Sequence, residues 1–92
     1  MIAVECDESG NVTIAGDATV HEAELLRDGL LNAVRASYPT YTLSLAKLTA
    51  IDSCGAQLLV SFRRSVPKVR VHSCPQPLRR ALEQIGLARH VL

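Results

Sequence analysis

The sequence predicts an α/β fold: a single mixed β-sheet with packed helices, in the order β-β-α-β-α-β-α. Three observations predict it. Apolar residues alternate with polar ones at Ile2, Val4 and Cys6, at Val12 and Ile14, and at Tyr41, Leu43 and Leu45, the period-two pattern of half-buried strands. Elsewhere the apolar period lengthens to three or four residues, as at Leu26, Leu30 and Ala33, the spacing of a helix with one buried stripe. Strand-like and helix-like stretches then alternate along the chain, and a strand, helix and strand in sequence form a right-handed parallel crossover.

Each element follows from local chemistry. Asp7-Glu8-Ser9-Gly10 is turn-like and joins the first two alternating runs into a hairpin, whose second strand ends near Gly16 and Asp17. Thr19-Val20-His21-Glu22 matches a capping box, in which a threonine hydroxyl and a glutamate carboxylate satisfy reciprocal backbone donors. A helix over residues 20–36 is therefore expected, burying Ala23, Leu26, Leu30, Ala33 and Val34. Ser37 and Pro39 break it, and a central strand runs from Tyr41 to about Leu48. Leu58, Leu59, Phe62 and Val66 recur at helical spacing, which predicts a second helix over residues 53–65, stopped before Pro67. Lys68 to Cys74 form another strand with Val69 and Val71 inward. Leu78, Ala81, Leu82 and Ile85 define a third helix, opened by Pro77, closed by Gly86 and capped by Leu87.

Size and composition narrow the functional classes. At 92 residues the chain is read as one domain, residues 1–92, with a modest two-layer core and no room for a deep cleft, so function is expected on its surface. Aromatic residues make up only 3%, which predicts an aliphatic core and leaves few platforms for stacking nucleic-acid bases. No apolar run approaches the roughly 20 residues that span a bilayer, and the start lacks a secretory signal, so a cytoplasmic location without direct membrane insertion is expected. Cys6, Cys54 and Cys74 are odd in number and far apart, which fits reduced thiols. Net charge is +1, yet residues 1–52 hold three Lys/Arg against eight Asp/Glu, while residues 53–92 hold seven against one. Such polarity can steer a charged partner.

The motif that calls for explanation is Ala50-Ile51-Asp52-Ser53-Cys54-Gly55, where a strand-like run ends in small and polar residues. In α/β sheets, sites gather where strand ends feed helix starts, because unpaired N–H groups there attract negative charge. Asp52 is placed to cap the helix, and Gly55 permits close approach of backbone or partner. At about 100° per residue, Ser53, Gln57, Val60 and Arg64 share one stripe opposite Leu58, Leu59 and Phe62. This predicts a contact face with Ser53 at one end and Val60 as an exposed apolar residue. A phosphate on Ser53 would meet the positive end of the helix dipole, beside Asp52.

These residues carry a family resemblance across nearly the whole chain. A hairpin ending in Ile14-Ala15-Gly16-Asp17, the strand into Ile51-Asp52-Ser53-Cys54-Gly55-Ala56-Gln57-Leu58-Leu59, and the helix Leu78-Arg79-Arg80-Ala81-Leu82-Glu83-Gln84-Ile85-Gly86-Leu87 together resemble a STAS domain, the family of sulfate-transporter regulatory domains and anti-sigma-factor antagonists. The resemblance implies a non-catalytic regulatory module that binds a protein partner through the turn Asp52, Ser53, Cys54 and Gly55, to which the stripe read from helix geometry adds Gln57, Val60 and Arg64 as contact residues. In anti-sigma-factor antagonists the turn commonly reads Asp-Ser-Ser-Gly, and the serine before glycine is phosphorylated by an anti-sigma kinase; that position is Cys54 here. The acceptor the resemblance leaves is Ser53. STAS subunits of lipid-asymmetry transport systems carry Asp-Thr-Ala-Gly at this turn, which implies a second role, as a cytoplasmic accessory subunit holding a transporter ATPase in an assembly.

Other classes find less support in the residues. Ser53 lacks a Gly-x-Ser-x-Gly elbow and an evident base, so no enzyme is expected. His72-Ser73-Cys74 lacks the paired spacing of a zinc site, and no Gly-x-x-x-x-Gly-Lys loop cradles a nucleotide, so neither metal nor cofactor is expected. Arg63, Arg64, Lys68, Arg70, Arg79 and Arg80 fall on different elements without a recognition motif, which argues against nucleic acid. Arg79 and Arg80 oppose the dipole of the third helix and leave an acidic or phosphate-bearing contact open.

Overall fold

The computed structural model describes all 92 residues. Strands β1 (Ala3–Cys6) and β2 (Asn11–Ala18) form the expected hairpin, followed by a 3-10 turn at Val20–Glu22 and helix α1 (Ala23–Ala36). Strand β3 (Tyr41–Ile51), helix α2 (Ser53–Ser65), strand β4 (Val69–His72), helix α3 (Gln76–Ile85) and a short helix α4 (Ala88–Val91) complete the chain. The sheet order is β1-β2-β3-β4, antiparallel at β1/β2 and parallel across the other two pairs, which makes it the mixed sheet predicted.

The helices cover the sheet face that carries Val12, Ile14, Leu43, Leu45 and Leu48, all buried. Residues of the opposite face, including Thr13, Thr42, Ser44, Lys47, Arg70 and His72, are exposed or half-exposed. The aliphatic core is completed by Leu26 and Leu30 of α1, Leu59 and Phe62 of α2, and Leu78 and Leu82 of α3. Tyr41 is the one large polar side chain within it, and it is satisfied: its hydroxyl donates to the Ala33 carbonyl at 2.6 Å and accepts from the Tyr38 N–H at 3.2 Å.

Several boundaries depart from the sequence reading, each for a local reason. Strand β3 runs three residues past Leu48, because two irregularities opposite Ala15 and Asp17 insert extra residues into β3. Those insertions let Leu45 and Leu48, three apart, face the same way, which hides the strand from a period-two reading. Strand β4 stops at His72 rather than Cys74, since Ser73 adopts a left-handed conformation (φ 62°). The expected end of α3 is present: the Gly86 N–H donates to the carbonyls of Leu82 and Glu83, and the Leu87 N–H returns to Leu82. Helix α4 had no counterpart in the sequence reading. It packs beside α2, where Arg63 donates to the carbonyls of Val91 (2.9 Å) and Leu92 (3.1 Å).

The predicted capping box does not form. Thr19 makes no capping hydrogen bond through its side chain, and α1 begins at Ala23 after the 3-10 turn. Glu22 points instead to the amino group of Met1 at 3.6 Å.

Candidate functional site

The end of β3 delivers the chain to Asp52, whose extended backbone and ionised side chain open α2. One carboxylate oxygen accepts from the Gly55 N–H at 3.0 Å, the N-cap bond expected from sequence. The other accepts from the Val20 N–H at 2.8 Å, thirty-two residues away. The backbone repeats the link, with the Asp52 N–H donating to the Ala18 carbonyl at 3.2 Å. Asp52 therefore ties the entry of α1 to the entry of α2. The N–H groups of Gly55 and Val20 hold its carboxyl below the usual 3.8, against an opposing contribution from burial, with lesser help from the Cys54 N–H and from His21.

Gly55 is buried against the end of β2, and a Cβ placed there would overlap the Ala18 carbonyl oxygen and lie 2.9 Å from the Ala18 Cβ. The close approach it permits is thus within the chain. Without it, α2 could not start this near the sheet, and Ser53 would not be presented at its present height.

Ser53 occupies the first position of α2 and is exposed. The hydrogen bonds at this corner belong to Asp52, and the serine hydroxyl takes part in none of them. Gln57 and Arg64 continue the exposed stripe as predicted. Val60 does not: it is half-buried and packs against the core. Leu58, expected to be buried, is only half-buried, on the flank that faces α1. Cys54 lies on that same flank, half-buried.

A surface the sequence reading missed adjoins Ser53. Val20, Arg27, Cys54 and Leu58 line a shallow groove between the starts of α1 and α2, which continues between the helices past Leu31 and Phe62. Val20 is 59% exposed and Leu31 42%. The available signal was Leu31, a leucine of α1 outside its buried stripe.

No group of three or more potential metal ligands comes together, and no helix is long and apolar enough to cross a membrane. Architecture and site define a class of protein: a small two-layer α/β domain that offers a carboxylate-framed helix start, rather than a cleft, to its surroundings. The chain belongs to the STAS family, matching the profile described as "Mlab, STAS domain" over residues 3–92.

Solved structures agree on the fold. An anti-sigma factor antagonist from Mycobacterium paratuberculosis is similar with a TM-score of 0.78 at 21% identity, over 97% of this chain and 80% of that one. The anti-sigma factor antagonist SpoIIAA in its unphosphorylated form gives 0.65 at 18% identity, over 90% and 82%. The Bacillus cell fate determinant SpoIIAA in its phosphorylated form gives 0.65 at 19%, over 97% and 86%. No curated protein sequence matches the chain.

Proposed function

We propose that this chain is a non-catalytic regulatory module that docks a protein partner through the start of α2, with Ser53 as a phosphate acceptor that switches docking. The observation that carries the reading is the exposed, unengaged hydroxyl at the first position of α2, on a corner whose other polar groups are committed to one another. A phosphoryl group on Ser53 would add negative charge over the positive end of the helix dipole and beside Asp52. Any surface that reads Ser53, Gln57 and Arg64 would meet that charge. Asp52 and Gly55 then act by holding Ser53 in place, and Cys54 contributes through the groove with α1. The partner is a kinase of the anti-sigma type.

A second reading is favoured by Cys54 and by the match to the Mlab STAS family over residues 3–92. A half-buried small residue before Gly55, where anti-sigma-factor antagonists carry the phosphorylated serine, suits a constitutive contact, as in a subunit that holds a transporter ATPase in a cytoplasmic assembly. Both readings use the same corner of the fold and no cofactor.

The test compares the wild-type chain with Ser53→Asp. Both are immobilised and exposed to lysate of the native host. Recovered proteins and the modification state of Ser53 are read by mass spectrometry, and affinity for the purified partner is measured by calorimetry. The regulatory reading expects a kinase, a phosphate on Ser53 and at least a tenfold loss of affinity in Ser53→Asp at unchanged thermal stability. An ATPase bound equally by both forms selects the assembly reading. Arg64→Glu should weaken either partner while changing stability by less than about 0.5 kcal/mol, as for other exposed positions.

A further inference from the structure

We infer that the outer edge of β4 is a docking strand for an extended acidic segment of another protein, a surface separate from the Ser53 corner. Strand β4 pairs with β3 alone. The Lys68 carbonyl accepts from the Tyr41 N–H at 2.9 Å, which sets the parity of the parallel ladder: residues 68, 70 and 72 direct their backbone groups at β3. The N–H and C=O groups of Val69 and Val71 consequently point outward, two donors and two acceptors in the pattern that strand addition uses.

Two shallow depressions of ≈ 510 and ≈ 590 Å³ lie end to end along this edge and share Arg63, Val69 and Arg70. Lys68 lines the first and Arg79 the second. Lys68, Arg70 and Arg79 are in no ion pair, while Arg63 is held by the main-chain oxygens of Val91 and Leu92; the ion pairs of the chain involve Glu22, Glu24 and Asp28, on the α1 side. No acidic residue lines either depression, and Glu83 of α3 is the sole carboxylate side chain after Asp52. The charge asymmetry of the sequence therefore leaves a mark on the fold: four of the seven Lys/Arg residues after Asp52 line the β4 border.

Cations on an edge strand also serve to prevent unwanted pairing. That device places charge on the strand itself. Here only Arg70 lies on β4; Arg63 comes from α2, Arg79 from α3 and Lys68 from the approach to β4, and the four line one border. Arg63 is held there by its bonds to the Val91 and Leu92 carbonyls. A groove with free backbone groups along its floor and positive charge along its walls is complementary to an extended chain with acidic side chains. The four residues of β4 span roughly 13 Å, room for four or five residues of such a segment.

The probe is a fluorescein-labelled eight-residue peptide of alternating Glu and Thr, titrated with the full chain at low salt and followed by anisotropy, with backbone amides read by NMR. Saturable binding is expected, with amide exchange at Val69 and Val71 slowed at least tenfold. Arg70→Glu, an exposed substitution, should weaken binding at least tenfold while the thermal midpoint stays unchanged, and N-methylation of alternate peptide residues should do the same. Absence of binding, or equal binding of the N-methylated peptide, overturns the proposal. So does displacement by inorganic phosphate or phosphatidylglycerol vesicles at matched charge, which marks a general anion surface, and so does self-association abolished by Arg70→Glu, which assigns the edge to a second copy. Ser53 lies ten residues from Arg63 along α2, roughly 15 Å away, so Ser53→Asp should leave peptide binding intact and the two proposals fail independently.

Discussion

At the start of α1 the sequence offers a threonine and a glutamate three residues apart; at the start of α2 it offers one aspartate, and the aspartate serves both. Thr19 and Glu22 leave the reciprocal bonds of a capping box unmade, while the two oxygens of Asp52 accept from Gly55 at 3.0 Å and from Val20 at 2.8 Å. An ionised carboxylate is a stronger acceptor than a hydroxyl, and once β3 runs beside β2 it arrives within reach of Val20 with no further ordering of the chain. A local motif states what a helix start can do in isolation. The parallel pairing of β2 and β3 decides which acceptor it meets. The difference bears on the proposed docking site, because the corner that presents Ser53 is built from two distant segments.

The strongest way to break this comparison is to separate the two segments. Gly55→Ala places a Cβ where the Ala18 carbonyl already sits, and backbone cannot step aside as a flexible side chain would. Overpacking of this kind costs typically about 1–3 kcal/mol and more where backbone must move, so a loss of about 3 kcal/mol or greater is expected. For a chain of this size that corresponds to a fall in thermal midpoint of more than roughly 12 °C, measurable by calorimetry. A variant within about 3 °C of wild type would show that α2 starts farther from β2 than described.

Asp52→Ala comes next. It removes the acceptor of both links, and a lost N-cap together with a lost bond to a charged group is worth about 2 kcal/mol at a half-exposed position, or roughly 10 °C in midpoint. The charge component has its own signature. Because the folded-state carboxyl lies below its usual value, its contribution is complete above the unfolded value near ~3.9 and is lost as pH falls through the lower folded value. Urea midpoints of wild type and Asp52→Asn should therefore differ at pH 7 and converge as pH falls through the lowered folded-state value. A gap independent of pH would mean that the shape of the acceptor, rather than its charge, joins the two helices.

These variants also mark how far the sequence could be read. Strand and helix order, the Asp52 cap, the Gly86 and Leu87 helix end and the exposure of Ser53, Gln57 and Arg64 were legible, because each depends on periodicity or on neighbours within four residues. The bond from Asp52 to Val20 was not, since it spans thirty-two residues. Nor was the packing of Val60 against the core, nor α4, a helix of four residues too short to leave a periodic trace. The β4 edge was half visible: its cations stood out as a count, and only the topology placed Arg63 and Arg79 beside the same strand.

The smallest expected effect sharpens the comparison most. With no hydrogen bond from the Thr19 hydroxyl and the Glu22 carboxylate facing Met1 at 3.6 Å, neither side chain contributes to the start of α1 as a cap. Thr19→Ala and Glu22→Gln should each lower stability by less than about 0.5 kcal/mol, below the roughly 1 kcal/mol typical of a working N-cap. Their double variant should be additive, since a capping box couples the two residues and independent surface positions do not. Chemical denaturation of the four proteins of this cycle measures the coupling directly. A coupling of 1 kcal/mol or more would restore the box and reduce the Val20 link to Asp52 to a secondary contact; its absence leaves Asp52 as the acceptor on which both helix starts, and the placement of Ser53, depend.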